Sequence, residues 1–240
     1  MISASRIWAI VPAAGAGSRM YASRPKQYLS LAGRPVILHT LQRLCDHPRI
    51  EGVLVGVATD DPYWSELSDA LARLPKVLDT FVGGIERPHT VLNGLKVLAQ
   101  RSAVDDWVLV HDAARPCVRS EDIDKLIDEV SGSGDGGLLA LPVADTVKRS
   151  DRSGHVQETV SREHLWRAVT PQLFPLVRLA TALEQALTDG VLVTDEAAAV
   201  EHAGGRPRVV AGHVDNIKIT LAEDLPLAEW FLTQQRKEQA

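Results

Sequence analysis

The stretch PAAGAGSRM at residues 12–20 follows the apolar run IWAIV at residues 7–11 and carries two glycines one residue apart. A glycine-rich turn after a buried strand is typical of a site where backbone N–H groups approach a phosphate. The stretch lacks the third glycine of the dinucleotide-binding fingerprint, because Met20 stands there, and it lacks the Gly-Lys-Ser/Thr of a P-loop. Arg19 and Lys26 follow instead. We interpret the stretch as a triphosphate-binding loop; the alternative is a glycine turn with two solvated surface cations.

Further apolar runs of strand length lie at residues 51–58, 76–82, 106–112 and 136–143. They are continuously apolar rather than alternating, which is the pattern of strands in a parallel sheet that is covered on both faces. Stretches with helical periodicity separate them. This β-α-β alternation with right-handed crossovers predicts an α/β fold, a three-layer α/β/α sandwich around a mostly parallel sheet.

Three groups of apolar residues at helical spacing mark helix faces that we expect to be buried. They are Ile37, Leu41 and Leu44; Val91, Leu95 and Leu98; and Ile123, Leu126 and Ile127. Later helices are predicted at about 175–188, 195–203 and 221–236. Thr194 is the predicted N-cap of the helix at 195–203, with Asp195 and Glu196 as acids in its first turn.

The polar segment at residues 144–160 interrupts this alternation. Its sequence predicts two short strands joined by the turn SDRSG, and it has few apolar residues to bury. An isolated hairpin is marginally stable in water, so we expect this one to project and to pack against a partner such as a second subunit. A flexible surface hairpin is the alternative. Because repeats and linkers are lacking, we interpret residues 1–240 as a single domain with one projecting excursion.

Composition excludes several classes of protein. The 240 residues are 45% hydrophobic and 24% charged, and the net charge of -5 argues against a general nucleic-acid binder. Cys45 and Cys117 lie in unrelated contexts, so we expect neither a disulfide framework nor a zinc site. The N-terminal apolar run is too short for the core of a signal peptide, and no stretch approaches the ~20 apolar residues of a membrane helix. We therefore expect a cytoplasmic protein that binds neither membranes nor nucleic acid.

Several polar motifs follow the predicted strands, and in open α/β sheets ligands bind beyond the carboxyl ends of the strands. Gly83, Gly84 and Arg87 follow the third predicted strand, and Asp112 follows the fourth. The glycines permit close backbone approach, and a carboxylate at this edge can hold a divalent metal that bridges phosphates. Arg115 follows at a spacing suited to an anion. Taken singly, a glycine turn with an exposed arginine and an aspartate that caps a turn explain these residues as well.

The late segment GHVDNIKIT at residues 212–220 places Asp215 and Lys218 around a predicted short strand. Asp215 is a candidate second metal ligand and Lys218 a candidate phosphate clamp. For the Asp-Asn pair taken alone, a turn is the stronger interpretation. Trp166, in LWRAVTPQ, is predicted to be a core residue.

The order of these motifs is more specific than any one of them. In sequence they are PAAGAGSRM, PKQYL, GG followed by ER, VLVHDAARP, DTVKR, LWRAVTPQ, TDE and DNIKIT. The chain resembles the 2-C-methyl-D-erythritol 4-phosphate cytidylyltransferase family of the non-mevalonate isoprenoid pathway, from Trp8 to about Phe231. The resemblance implies a homodimeric Rossmann-like nucleotidyltransferase that joins CTP and the polyol phosphate, releases pyrophosphate and uses Mg²⁺.

The resemblance also implies the roles of particular residues. The residues implied to be catalytic are Arg19, Lys26, Arg162 and Lys218. Those implied to bind the nucleotide are Ala13, Ala14, Gly15, Gly17, Gly83, Arg87 and Thr90. Those implied to bind the acceptor are Arg115, Thr146, Arg162, Thr170 and Lys218, and the metal ligands are Asp112 and Asp215. In the family the hairpin is a dimerisation arm, here at about 144–170, which lends Thr146 and Arg162 to the neighbouring site.

Two positions depart from the family pattern around the ER motif. The family commonly has an aspartate and a serine where this chain has Ile85 and Thr90. Thr90 keeps a hydroxyl that can bond a ligand, whereas a ligand hydrogen bond at Ile85 must come from the backbone. Two other functions stay open: a cytidylyltransferase for ribitol 5-phosphate or another polyol phosphate, and an inactive nucleotide-binding scaffold on this fold.

Overall fold

A seven-stranded sheet forms the centre of the protein in a computed structural model that describes residues 5–15 and 24–238. Along the chain, its strands and those of two small sheets are β1 (Ile7–Pro12), β2 (Ser30–Leu31), β3 (Arg34–Pro35), β4 (Ile50–Val57), β5 (Val77–Val82), β6 (Trp107–Val110), β7 (Gly137–Pro142), β8 (Val147–Ser150), β9 (Val156–Val160), β10 (Trp166–Pro175) and β11 (Arg208–Ala211). The order across the large sheet is β11-β7-β10-β6-β1-β4-β5. In its described part, β10 pairs antiparallel with both neighbours and the other pairs are parallel. The predicted mostly parallel sheet is confirmed.

Helices cover both faces of this sheet. They are α1 (Val36–Asp46), α2 (Pro62–Ser65), α3 (Ser68–Leu71), α4 (Arg87–Leu98), α5 (Ser120–Val130), α6 (Leu176–Thr188), α7 (Glu196–His202) and α8 (Asp224–Glu238), with a 3₁₀ helix at Lys26–Tyr28. The apolar residues of α1 and α5 pack on one face, and those of α4, α6 and α7 pack on the other. The nine apolar positions predicted on α1, α4 and α5 are all buried. The predicted three-layer sandwich is confirmed.

β1 explains why the strands are continuously apolar. Ala9 and Val11 join the apolar cluster of α1 and α5, whereas Trp8 and Ile10 join the cluster of α4 and α6. Successive side chains of a strand point to opposite faces, so a strand that is covered on both sides needs an apolar residue at every position. The apolar run before the glycine loop is therefore a central strand, and the loop begins at its carboxyl end.

The sequence pattern does not predict β10 or β11. β10 has two prolines and begins with exposed residues, and β11 has only four residues, so neither gives a clear strand signal. The core prediction for Trp166 is wrong, because the first three residues of β10 are exposed and Trp166 is 41% accessible. Burial begins only where the strand passes between β6 and β7.

The predicted polar hairpin is confirmed. β8 and β9 pair antiparallel in a sheet of their own, and the turn between them contains Gly154 at φ +87°. Nearly all of their residues are exposed. The range predicted for the arm overlaps the start of β10, which pairs with β7 in the central sheet.

Two local predictions are wrong. Residues 212–220 form no strand; the segment is irregular and is held by a bond from the Ile219 N–H to the carbonyl of Ala114 at 2.9 Å. The N-cap of α7 is Asp195, not Thr194, because the Asp195 carboxylate reaches the N–H of Ala198 at 2.9 Å.

A third apolar cluster positions the late segment. It joins α8 to Leu31, Val36 and Ile219, so the residue before Ile219, Lys218, is held near the edge where β6 ends. Both cysteines are free and buried. Across residues 5–15 and 24–238, no helix is long and apolar enough to cross a membrane.

Candidate active site

A cavity of about 540 Å³ lies at the carboxyl ends of β1, β5 and β6. Of the predicted site residues, those that line it are Ala13, Ala14, Gly15, Lys26, Arg87, Thr90, Asp112 and Lys218. Gly17 and Arg19 lie outside the described residues, so their predicted roles stay predictions. The fold brings together segments that are distant in sequence, as the edge rule for parallel sheets predicts.

Gln27 holds the loop after β1, although the sequence interpretation did not include it. Its buried amide Nε2 donates to the carbonyl of Ala13 at 2.7 Å and to that of Gly15 at 3.1 Å. Both carbonyls are thus engaged on the protein side. Among the described residues, none places an atom within 4 Å of where a Cβ of Gly15 would stand, and the glycine lets a ligand approach its backbone closely.

Gly83 allows β5 to approach the same loop. A Cβ at Gly83 would lie only 2.3 Å from the Cβ of Ala14, and the Gly83 N–H donates to the carbonyl of Val57 at 2.8 Å. Gly83 does not itself line the cavity. Its observed role is close packing of two loops, and its nucleotide-binding role stays a prediction.

Thr90 holds the turn at the rim of the cavity. Its buried hydroxyl accepts from the Gly84 N–H at 2.9 Å and donates to the carbonyl of Glu86 at 3.2 Å. Ile85 lies between Gly84 and Glu86, lines the cavity and is 96% exposed. The turn therefore presents an aliphatic side chain to the cavity, while the threonine hydroxyl is occupied in holding the turn.

Asp112 lies two residues beyond β6 and is held by three cations. Arg87 Nε is 3.2 Å from Oδ1, while Arg115 Nε and Lys218 Nζ are 3.3 Å and 2.9 Å from Oδ2. Burial alone would raise the pKa of this carboxyl, but the charges of Arg87, Lys218 and Arg115 outweigh it and hold the pKa well below its usual range. Asp112 is therefore ionised at neutral pH.

Arg87 is itself held by a buried carboxylate. Its Nη1 lies 2.6 Å from Glu196 Oε1 and its Nη2 lies 3.1 Å from Oε2, while Glu196 is only 1% exposed. Two carboxylates therefore face this guanidinium, and together they raise its pKa despite its burial. The interpretation of Glu196 as only an acid in the first turn of α7 is incomplete.

Thr170 and Arg115 support Asp112 from the protein side. The Thr170 hydroxyl accepts from the Asp112 N–H at 3.0 Å, and Arg115 Nη1 donates to the carbonyl of Asn216 at 2.8 Å. The Asn216 side chain in turn donates to the carbonyl of Thr170 at 2.8 Å. Neither Thr170 nor Arg115 lines the cavity, so their acceptor-binding roles stay predictions.

Asp215 lies apart from the cavity lining in a network of its own. Its Oδ2 accepts from Arg119 Nε and from Gln235 Nε2, both at 2.8 Å. Its Oδ1 is buried and has no hydrogen-bond partner in the described part of the chain. One carboxylate oxygen therefore has no hydrogen bond within the described residues.

The donor atoms fit a divalent metal of the Mg²⁺ type. Such an ion usually takes one or two protein carboxylates and completes its shell with water and substrate phosphates. Asp112 supplies an ionised carboxylate at the cavity, and one oxygen of Asp215 has no hydrogen-bond partner among the described residues. No group of three or more His, Cys, Asp or Glu side chains that could form an all-protein cage occurs within the described ranges.

The predicted acceptor residues of the arm are not among the residues that line the cavity of their own chain. Thr146 and Arg162 are both exposed, and Arg162 Nη1 donates to the carbonyl of Ala144 at the base of the hairpin. Neither residue lines the cavity. Their predicted roles in catalysis and acceptor binding stay predictions.

A mostly parallel sheet, a glycine loop after its first strand, and an ionised aspartate among cations at the same edge define an α/β protein of the nucleotidyltransferase class. The chain belongs to the 2-C-methyl-D-erythritol 4-phosphate cytidylyltransferase family, whose sequence profile matches residues 7–234. The predicted family, and with it the enzyme class, is confirmed.

Relatives match nearly the whole chain. The 2-C-methyl-D-erythritol 4-phosphate cytidylyltransferase of Tolumonas auensis is 51% identical over 230 residues, which are 96% of this chain and 98% of the relative. The protein of the same name from Azoarcus sp. is 53% identical over 227 residues, 95% of this chain and 94% of the relative. The crystal structure of the Francisella tularensis protein of that name superposes with a TM-score of 0.78 at 34% identity, over 95% of this chain and all of the other.

Proposed function

We propose that the protein transfers the cytidylyl group of CTP to 2-C-methyl-D-erythritol 4-phosphate, giving 4-diphosphocytidyl-2-C-methyl-D-erythritol and pyrophosphate. The observation that supports this most is the cavity beside the loop after β1, where Lys26 and Lys218 line the wall together with ionised Asp112. The Tolumonas auensis and Azoarcus sp. relatives carry the name of this activity.

In the proposed reaction, a phosphate oxygen of the acceptor attacks the α-phosphorus of CTP in line with the leaving group. The new P–O bond forms as the bond from the α-phosphorus to the bridging oxygen breaks, and pyrophosphate leaves with that electron pair. The acceptor is already an anion, so the reaction needs no strong general base. Its main barrier is repulsion between two anions, which Arg19, Lys26 and Lys218 are proposed to reduce.

Asp112 and Asp215 are the residues proposed to hold Mg²⁺. The ion would neutralise phosphate oxygens as negative charge builds on them. Asp112 suits this role because it is ionised and lines the cavity. Asp215 suits it through Oδ1, which no described residue engages.

We further propose that residues 1–240 form one domain that acts as a cytoplasmic homodimer. In it, the arm at about 144–170 would reach the neighbouring site with Thr146 and Arg162. The exposure of both residues, and the small apolar content of β8 and β9, support a partner for the arm. Arg115 and Thr170 would complete the acceptor side.

The function is tested by pyrophosphate release with several nucleoside triphosphates crossed with several polyol phosphates. We expect turnover with CTP and 2-C-methyl-D-erythritol 4-phosphate to exceed that of any other pair. Preference for ribitol 5-phosphate would move the activity to the alternative cytidylyltransferase. If CTP binds and no acceptor releases pyrophosphate, the protein is a nucleotide-binding scaffold.

The exchange of arms is tested by mixing two inactive variants, Lys26→Ala and Arg162→Ala. In a mixed dimer with exchanged arms, one site keeps both Lys26 and Arg162, so a 1:1 mixture should recover about a quarter of wild-type activity by random pairing. Each variant alone is the control. Failure of the mixture to recover activity, with mixed dimers demonstrated, would count against the exchange.

A further inference from the structure

Glu196 is a buried carboxylate whose position helix capping does not explain. An acid in the first turn of a helix can stabilise the helix dipole from a solvent-exposed position, so this role does not require burial. The N-cap of α7 is already supplied by Asp195. Burying a carboxylate is costly unless the charge is paired. Glu196 is 1% exposed, and burial raises the pKa of its carboxyl. Its burial therefore requires another explanation, and its ion-pair partner is Arg87.

The contact between the two side chains sets the direction of Arg87. Both terminal nitrogens of the guanidinium engage Glu196, at 2.6 and 3.1 Å, which leaves Nε to reach Asp112 Oδ1 at 3.2 Å. The guanidinium is planar, so fixing its two ends also fixes where Nε points. Arg87 lines the cavity, whereas Glu196 does not.

The other oxygen of Asp112 is held in the same way. Arg115 Nε lies 3.3 Å from Oδ2, and Arg115 Nη1 is anchored on the carbonyl of Asn216. Each carboxylate oxygen is thus held by the Nε of an arginine that is anchored elsewhere, Arg87 through both terminal nitrogens and Arg115 through Nη1. Lys218, with a 35% exposed side chain, is the most accessible of the three cations on Asp112.

We propose that Glu196 is a positioning residue for the transfer reaction: it anchors Arg87, and so keeps the Asp112 carboxylate in one orientation at the cavity. The inference rests on the proposed function, in which Asp112 holds Mg²⁺ together with CTP. Glu196 also balances the charge of Arg87. Without this anchor, Arg87 is free to pair more closely with Asp112 or to turn towards the triphosphate, and in both cases Asp112 becomes a poorer ligand.

The decisive variant is Glu196→Gln, which keeps the shape of the side chain and removes its charge. Calorimetric binding of CTP without an acceptor should be about tenfold weaker than wild type in Mg²⁺ and within about twofold of it in EDTA, as expected when a group that orients a metal ligand is lost. In turnover, we expect kcat to fall about tenfold and half-maximal activity to need more Mg²⁺, with the KM for the acceptor little changed.

Asp106→Asn is the matched control. Asp106 is another buried carboxylate that pairs with an arginine, Arg6, but it lies at the amino end of β6, opposite the cavity. This variant should lose stability without any change in the Mg²⁺ dependence. Should Glu196→Gln fail to fold, Arg87→Lys replaces it, because a lysine keeps the charge but cannot hold two carboxylates through a rigid fork.

The inference is overturned if the folded variant binds CTP as wild type does in both conditions. It is also overturned if CTP binding weakens equally with and without Mg²⁺, since that is the result of a general structural defect. These outcomes differ from failure of the proposed function, in which the wild-type protein itself releases no pyrophosphate with any acceptor.

Discussion

Two buried aspartates flank β6, and the difference between their surroundings separates support of the fold from support of the chemistry. Asp106, before the strand, accepts from Trp8 Nε1 at 2.8 Å, from the Ala103 N–H at 2.9 Å and from the Arg6 N–H at 3.0 Å. Burial alone would raise the pKa of this carboxyl, but these bonds outweigh burial and lower the pKa. Neutral donors at fixed positions thus surround Asp106, with a partly exposed Arg6 side chain at the edge.

Asp112, after the strand, has cationic side chains as its main partners, and it lines the cavity. A bond from a backbone N–H cannot be given up without unfolding the segment. A lysine at the cavity, by contrast, can exchange a carboxylate for a phosphate. The two ends of one strand therefore carry similar buried charges, but only the end with exchangeable partners is suited to bind a ligand.

The largest effect is expected at Lys218. Lys218→Ala should lower kcat by about 10²–10³, because it removes a donor that is positioned to meet developing charge. The free energy of unfolding should change little, since the side chain is partly exposed. Steady-state kinetics and urea unfolding measure both quantities. Lys125→Ala, a lysine that reaches the carbonyl of Ala211, is the control. Near-normal turnover of Lys218→Ala would remove Lys218 from the proposed mechanism.

Asp106→Asn should give the opposite pattern. In the wild type both carboxylate oxygens of Asp106 accept hydrogen bonds, whereas an asparagine replaces one of these oxygens by an NH₂ donor. At least one buried donor therefore loses its acceptor, at a cost of about 1–3 kcal/mol in the free energy of unfolding. Urea unfolding should show this loss, while kcat of the folded protein stays near the wild-type value. A large fall in kcat without any loss of stability would contradict the proposal that Asp106 supports the fold and not the chemistry.

His111, between β6 and Asp112, should make stability depend on pH. Its Nε2 donates to the carbonyl of Arg115, and its Nδ1 accepts from Thr170, whose hydroxyl in turn accepts the Asp112 N–H. Burial lowers the pKa of His111 to about 4. The unfolded chain takes up this proton near pH 6.5, so between about pH 4 and 6.5 the unfolded state binds more protons and stability falls as pH falls.

Between pH 7 and pH 5, the free energy of unfolding of the wild type should fall by about 2 kcal/mol more than that of His111→Gln, as proton linkage to one such group predicts. Urea unfolding at both values gives the comparison, and using the difference between two pH values cancels any constant cost of the substitution. His39 and His47, whose pKa values burial also lowers, should give both proteins a common background slope. Equal losses in the two proteins would mean that His111 is not held neutral.

The sequence predicted those parts of the molecule that depend on local pattern. Continuous apolar runs indicate strands covered on two faces, and the edge rule then places the loop after β1 and Asp112 after β6 at one edge, where both line the cavity. Lys218 also lines the cavity, but an irregular segment and the cluster around α8 bring it there. Trp166 was misassigned because an aromatic residue inside a motif gives no sign of where its strand leaves the core. β10 was missed because its prolines weaken the strand signal.

The supporting contacts could not be predicted, because they join residues that are far apart in the chain. Glu196 looks like any acid in a first turn, and its partner Arg87 lies 109 positions away. Gln27 gives no sign that its amide turns back to two carbonyls of the preceding loop. For both residues, the one signal in the sequence is a long polar side chain close to a motif. Many solvated residues have the same feature, so it does not identify a supporting contact.

The smallest effect is expected at Ile85, the exposed aliphatic side chain at the cavity. A bound nucleotide that packs against it would bury part of the side chain, so Ile85→Ala should raise the KM for CTP about fivefold, the equivalent of one or two buried methylene groups. Both kcat and the free energy of unfolding should stay unchanged, since Ile85 contributes neither charge nor core packing. Val104→Ala, also highly exposed but outside the cavity lining, is the control. An unchanged KM in Ile85→Ala would mean that the nucleotide is held by polar contacts and backbone alone. The charged residues at the carboxyl end of β6 would then account for nucleotide binding as well as for the chemistry.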